Sequence, residues 1–123
     1  MIFNIFAVFI GGGAGALLRY LVTVLCRQIL NMPFLGTFFV NIVGCLLIGY
    51  LFGFTANKSE LLPHALRIFL TVGFLGGLTT FSTFNLEVFN FIKDGKIVIG
   101  FIYLILSCVI GLSVTFAGYC IAK

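Results

Sequence analysis

Charged residues are scarce in this sequence. Only 8% of its 123 residues are Asp, Glu, Lys or Arg, 62% are hydrophobic, and the mean hydropathy is +1.28. A soluble domain of this length has too little interior to hide so much apolar surface, so most of the chain must meet lipid. A spanning helix needs roughly 20 mostly apolar residues, which leaves room for about four spans and for no separate soluble domain.

The side chains that build metal and catalytic sites are also few. The chain has one histidine, His64, and four cysteines without CxxC spacing: Cys26, Cys45, Cys108 and Cys120. These numbers argue against a zinc site, and no nucleophile–base pair indicates an enzyme. We expect the cysteines to be small packing residues that stay reduced. The first segment lacks the basic start of a removable signal peptide and is predicted to be a span.

The apolar runs predict an all-α integral membrane protein with a single membrane domain over residues 1–123. Its four transmembrane helices are predicted at about 2–25, 34–54, 66–92 and 97–122. Asn31 and Pro33 are expected to cap and begin the second span, and Ser59 is expected to cap the third. The residues "KDGK" (93–96) predict a tight turn before the fourth span.

Basic residues are balanced between the two sides of the membrane. One side would carry Lys58, Arg67 and Lys123, and the other would carry Arg27, Lys93 and Lys96. Because Lys and Arg in loops set the orientation of membrane proteins, this balance leaves two possibilities open. The chain could insert in both orientations and form an antiparallel homodimer, or one dominant loop could fix a single topology.

Several polar residues lie inside the apolar runs, where each must face protein or water. Thr37 and Asn41 share one face of the second span, and Tyr103 and Ser107 share one face of the fourth. Their hydroxyl and amide groups could donate to an anion, but hydrogen bonds between helices or an interfacial tyrosine would explain them equally well. Glu87, near the end of its span, fits an interfacial residue that reaches water.

Arg19 is the only basic residue well inside an apolar run. Its side chain could hold a structural carbonyl or extend to the membrane interface. Alternatively, its positive potential could draw anions into a vestibule.

The stretch "GFLGGLTTFSTF" (73–84) has an unusual composition for a membrane helix. Gly76 and Gly77 oppose helix formation more than any residue except proline. Hydroxyls that could bond freed backbone groups follow at Thr79, Thr80, Ser82 and Thr83. The stretch predicts either a third helix broken near its middle, with carbonyls that bind a cation, or a tightly packed continuous helix. By spacing alone, Phe81 and Phe84 would be ordinary core or lipid-facing residues.

Three stretches together resemble the small bacterial fluoride channels of the CrcB (Fluc) family: "GGGAGALLRY" (11–20), "GTFFVNIVG" (36–44) and "GFLGGLTTFSTFNLEV" (73–88). The resemblance covers nearly the whole chain. It implies an antiparallel, dual-topology homodimer with two fluoride pores and a structural sodium ion at the dimer interface. The sodium ion would be held by the main-chain carbonyls of Gly76 and Thr79 from both subunits.

The same resemblance assigns residues to the fluoride pore. The implied pore residues are Phe81, Phe84, Asn41, Thr37, Tyr103, Ser107, Glu87, Ser82 and Thr83. Gly111 interrupts the polar line on the fourth span, and Arg19 matches the arginine of the first motif, with a vestibule or structural role. Positive ring edges and neutral donors suit an anion that must also be released.

We therefore expect a passive, fluoride-selective channel that exports cytoplasmic fluoride across the bacterial inner membrane. Two other functions remain open at this point. A small proton-coupled drug exporter would share the four spans, although the acid typical of its first span is absent here. A structural membrane subunit would pack through its glycines and transport nothing.

Overall fold

The structure, a computed structural model, describes residues 1–58 and 62–123, so the cap predicted at Ser59 lies outside the described residues. The helices are α1 (Ile2–Leu30), α2 (Pro33–Lys58), α3 (His64–Ile68), a π-helix (Phe69–Leu75), α4 (Gly76–Leu78), α5 (Phe81–Lys93) and α6 (Ile97–Ala122). No strand occurs in these ranges. Within the described residues, four helical segments are long and apolar enough to cross a membrane, the third running over His64–Lys93. The prediction of an all-helical membrane protein is confirmed at this level.

Two of the described turns between helices each contain a residue with positive φ. Asn31 ends α1 at φ 53°, and its N–H donates to the Arg27 carbonyl. Asn tolerates this left-handed conformation better than most side chains. The prediction that Asn31 caps the second span was therefore wrong, because it caps the end of the first, while Pro33 begins α2 as expected. Gly95, at φ 77°, makes the tight turn between α5 and α6.

Glycines lie where the helices approach most closely. A Cβ on Gly11 of α1 would lie 2.7 Å from the Phe69 carbonyl oxygen of the π-helix. A Cβ on Gly53 of α2 would lie 2.6 Å from the Tyr119 carbonyl oxygen of α6. Since both contacts are with main chain, a larger residue would force the helices apart. Close packing through small residues is a main source of helix association in lipid.

The helices α2 and α6 are parallel and in register. Contacts between them follow one order along both helices: Cys45 with Gly111, Gly49 with Thr115, and Gly53 with Tyr119. These two helices make the most extensive contact in the fold. Residues spaced by four along one helix therefore face residues spaced by four along the other.

The third segment changes its backbone conformation at two residues. α4 ends at Leu78, Thr79 and Thr80 are extended with ψ values of 155° and 119°, and α5 begins at Phe81. The Thr80 hydroxyl accepts a hydrogen bond from the Thr83 N–H and so caps α5. The π-helix before this point has no evident sequence signal. Main-chain groups near Thr79 and Thr80 must find partners outside the regular helical pattern.

Candidate functional site

Asn41 holds the extended residues of the third segment from the neighbouring helix. Its amide nitrogen donates to the Thr80 carbonyl at 3.1 Å, and its amide oxygen accepts from the Thr80 N–H at 2.8 Å. In a continuous helix that N–H would donate to the Gly76 carbonyl. The bond to Asn41 therefore deprives the Gly76 carbonyl of its usual helical partner.

The carbonyls on either side of this point have other partners. The Leu75 carbonyl accepts from both the N–H of Thr79, at 3.0 Å, and its hydroxyl, at 2.9 Å. The Gly77 carbonyl accepts from Arg19 Nε at 3.1 Å. Arg19 thus links α1 to the glycine pair of α4. Such links matter because an unpaired backbone group inside a membrane is costly.

A cavity of about 430 Å³ lies beside the extended residues, between α2, the third segment and α6. Six of the predicted site residues line it: Asn41, Gly76, Thr79, Phe81, Phe84 and Ser107. None of its lining residues, all from the described part of the chain, is charged. The hydroxyl of Ser107 is buried and has no hydrogen-bond partner. A buried hydroxyl without a partner is unfavourable.

The two phenylalanines of the cavity have different surroundings. Phe84 is buried and meets the Tyr103 ring edge-on, with centroids 5.2 Å apart. Phe81 is 79% exposed, and its ring centroid lies 6.3 Å from that of Phe84. One side of the cavity is therefore bordered by the exposed ring of Phe81.

A second polar group adjoins the cavity at Phe84. Glu87 accepts from the Thr37 hydroxyl at 2.7 Å and from the Tyr103 hydroxyl at 2.8 Å, one at each carboxylate oxygen. Thr37 is 1% exposed and Tyr103 is buried. Glu87 is half-buried, and hydroxyls from α2 and α6 engage its carboxylate.

Two predicted pore residues lie outside both the cavity lining and the hydroxyl pair around Glu87. The hydroxyls of Ser82 and Thr83 interact with that of Thr80, at 3.4 Å and 3.1 Å, in the first turn of α5. Neither lines the cavity. Arg19 also lies apart, at the Gly77 carbonyl.

Comparison with known proteins identifies the family. The sequence model of the family described as "CrcB-like protein, Camphor Resistance (CrcB)" matches residues 6–119. This chain belongs to the CrcB family. The resemblance found in the sequence is confirmed.

Three relatives of this CrcB chain cover nearly its whole length and carry the name "Fluoride-specific ion channel FluC". The protein of Flavobacterium psychrophilum is 42% identical over 121 residues, which is 98% of this chain and 97% of the relative. That of Aquifex aeolicus is 38% identical over 120 residues, 97% of this chain and 96% of the relative. That of Desulfotalea psychrophila is 40% identical over 121 residues, 98% of this chain and 93% of the relative.

Sequence reasoning overlooked several residues of this CrcB site. Cys45 and Cys108 both line the cavity, although all four cysteines were expected only to fill space. Phe34 and Phe91 surround Tyr103 with edge-on rings whose centroids lie 5.4 Å and 6.1 Å from that of the tyrosine. The four-residue spacing from Thr37 and Asn41 to Cys45 was the signal that could have identified this thiol.

Proposed function

We propose that this chain is a passive, fluoride-selective ion channel that lets cytoplasmic fluoride leave across the bacterial plasma membrane. The observation that carries the proposal is the uncharged cavity, with the unpartnered Ser107 hydroxyl and the rings of Phe81 and Phe84. The relatives named as fluoride-specific channels support the same function. The function is transport, and no catalytic chemistry is needed.

The chemistry of the cavity suits a small, strongly hydrated anion. Ser107 offers a hydroxyl donor, and Asn41 retains a second amide N–H beside the one that bonds Thr80. Aromatic ring edges carry positive partial charge and add weaker partners. A pore must bind its ion well enough to admit it and weakly enough to release it, so neutral donors are better suited than a lysine.

We extend the fluoride path from the cavity to the hydroxyl pair around Glu87. Thr37 and Tyr103 each donate to this carboxylate, and Phe84 contacts Tyr103 directly. An arriving fluoride ion would compete with the carboxylate for the same two donors. Ser82 and Thr83 remain pore candidates because the N-terminus of α5 favours negative charge.

The working unit proposed here is an antiparallel homodimer with two pores. The balanced loop charges permit insertion in both orientations. The exposed ring of Phe81 borders the cavity, and a second copy could cover it. Two copies facing each other would each contribute one aromatic pair to a pore.

A structural sodium ion fits the main chain at Gly76 and Thr79. Sodium prefers oxygen ligands, and the Gly76 carbonyl lacks its usual donor because Asn41 engages the Thr80 N–H. Two carbonyls from each subunit would surround the ion and hold the subunits together. Arg19, which donates to the Gly77 carbonyl, would steady the glycine pair in a structural role.

A liposome assay tests the function. Vesicles that contain the purified protein and fluoride are diluted into fluoride-free buffer, and a fluoride electrode follows release after the membrane potential is collapsed. We expect rapid fluoride release and almost no chloride release from matched vesicles. Equal rates for the two anions would refute selectivity, and no release of either would refute the channel.

The sodium proposal has its own test. Protein is purified and reconstituted in sodium salts or in N-methylglucamine salts, and its oligomeric state is measured by chemical crosslinking. We expect fewer dimers and slower fluoride release without sodium. A dimer fraction and a release rate unaffected by sodium would eliminate the carbonyl site.

A further inference from the structure

A groove of about 710 Å³ lies between α2, the third segment and α6, next to the cavity already described. Ile48 and Thr71 line both spaces, so the two adjoin at the inner end of the groove. On α2 the lining runs from Ile48 to Thr55, about 10 Å along the helix axis. Because the second span ends at Ala56, the Thr55 end of the groove lies near a membrane surface. Its size is within the range of small-molecule sites, about 300–1,000 Å³.

The walls of the groove suit a hydrocarbon chain. Thr55, Thr71 and Thr115 line it, but each hydroxyl donates to the main-chain carbonyl four residues earlier, at 2.8 to 2.9 Å. Their protons are therefore already used within their own helices. Phe52 and Phe116 also line the groove and are 67% and 68% exposed in the chain. Covering such apolar surface with hydrocarbon is favourable, whereas a hydrated ion would gain little from it.

The outer end of the groove is positively charged. Among its described lining residues Arg67 alone carries a charge, and Nη2 of this residue lies 3.3 Å from His64 Nδ1. A guanidinium has five N–H donors, so this contact leaves most of them available to a ligand. Lys123 adds a second positive charge nearby, because its Nζ lies 5.9 Å from the centre of the Tyr119 ring, which also lines the groove.

The acidic side chains of the described residues lie elsewhere. Glu87 is engaged by two hydroxyls beside the other cavity. Asp94 follows α5 in the turn to α6. Because the third segment crosses the membrane between Arg67 and Asp94, these two residues lie at opposite surfaces. Neither described acid neutralises Arg67, so the charge at the outer end favours an anionic ligand.

We propose that this groove binds one anionic phospholipid. Its phosphate lies at Arg67 and is attracted also by Lys123, and the first part of one acyl chain lies along Phe52 and Phe116. Guanidinium groups bind phosphate with charge-assisted hydrogen bonds, and basic pockets between membrane helices bind anionic headgroups. The apolar wall begins directly beside the charges, as the chains of a phospholipid begin directly beside its phosphate. This inference does not depend on the proposed channel function.

Quenching of tryptophan fluorescence by brominated lipids tests the site, since the sequence contains no tryptophan. Phe116→Trp places the reporter in the groove. Phe9→Trp is the matched control, because Phe9 is 78% exposed, lies outside the groove and is at a similar distance from its helix end. Each variant is reconstituted in phosphatidylcholine with a small fraction of phosphatidylglycerol or phosphatidylcholine whose acyl chains are brominated.

We expect brominated phosphatidylglycerol to quench the Phe116→Trp variant about fivefold more effectively than brominated phosphatidylcholine. This is the effect of about one basic residue close to an anionic lipid. The two lipids should quench the Phe9→Trp variant equally. Equal quenching of the Phe116→Trp variant would mean ordinary lipid contact and would refute the proposal. If neither lipid quenches it, protein such as a second copy covers the groove, which would also refute the proposal.

A second substitution tests the charge. Arg67→Gln, combined with Phe116→Trp, should abolish the preference for phosphatidylglycerol and leave quenching by phosphatidylcholine unchanged. Arg27→Gln is the matched control, because Arg27 lies in the last turn of α1 and outside the groove. It should keep the preference. A preference that survives Arg67→Gln, or one that Arg27→Gln removes as fully, would overturn the assignment of the phosphate to Arg67.

Discussion

Removing the Asn41 side chain should destabilise the protein as well as abolish conduction. Asn41→Ala deletes both hydrogen bonds to Thr80, at 2.8 Å and 3.1 Å. The N–H and the carbonyl of Thr80 would then be left without partners beside a largely apolar cavity. Each main-chain group left unpaired costs about 1–3 kcal/mol, so both together would cost about 2–6 kcal/mol.

The free energies that hydrogen bonds between membrane helices contribute place the effect near the lower end of this range. They average about 0.6 kcal/mol, because the unfolded chain in the membrane also finds partners. We therefore expect a loss of about 2 kcal/mol in the free energy of unfolding, roughly a 30-fold change in the folding equilibrium. Unfolding in mixed micelles with increasing dodecyl sulfate, followed by circular dichroism, measures it.

Asn85 provides a matched control. Its amide nitrogen donates to the Phe81 carbonyl at 2.9 Å, one turn away on the exposed surface of α5. The main-chain bonds of α5 persist in Asn85→Ala, so we expect a loss of less than about 0.5 kcal/mol. If Asn41→Ala and Asn85→Ala unfold at the same free energy, the contribution assigned to the Asn41 contact is refuted.

Asn41→Asp places a negative charge beside the cavity and keeps only one of the two contacts with Thr80. The carboxylate can still accept from the Thr80 N–H, but it cannot donate to the Thr80 carbonyl. Its negative charge would repel an anion in the cavity. We expect most of the fluoride flux to be lost, and a loss of stability at least as large as in Asn41→Ala, because a buried carboxylate would face the Thr80 carbonyl oxygen without a donor between them.

Three further predictions concern single substitutions, and the first two have a paired control variant. Phe84→Ile should reduce fluoride flux at the electrode by about tenfold or more because it removes a positive ring edge, whereas Phe89→Ile, on the exposed face of α5, should not. Ser107→Ala should cost about tenfold in the same assay, while Ser113→Ala, whose hydroxyl bonds within α6, should have no effect. Gly49→Ala should lower the thermal unfolding midpoint, because its Cβ would overlap the main chain of α6. Equal losses within either pair, or an unchanged midpoint, would contradict the respective reasoning.

The sequence predicted this fold well where one physical effect dominated. Continuous apolar runs permit only membrane helices, so the four spans could be predicted without other information. Local turn chemistry was more ambiguous. Asn31 favours both the start of a helix and the left-handed end of one, and only the path of the chain shows that it ends α1.

The candidate site was less predictable because its contacts join residues distant in sequence. Asn41 and Thr80 are 39 residues apart, and Thr37 and Glu87 are 50 apart. Composition showed that each polar side chain needed a partner, but it could not identify that partner. Cys45 was overlooked because a cysteine in an apolar run usually only fills space. Its position opposite Gly111 depends on the register of two helices.

The extended pair Thr79 and Thr80 can exist at membrane depth because other elements replace the missing helical bonds. Asn41 of α2 pairs with both main-chain groups of Thr80, and Arg19 of α1 bonds the Gly77 carbonyl. Because the N–H of Thr80 donates to Asn41, the Gly76 carbonyl loses its helical donor and needs another partner. The residue that supports the cavity wall therefore also prepares the proposed sodium site. If this coupling holds, Asn41→Ala should weaken the dependence of dimerisation on sodium. If that dependence is unchanged, the contact between Asn41 and Thr80 does not contribute to the proposed sodium site.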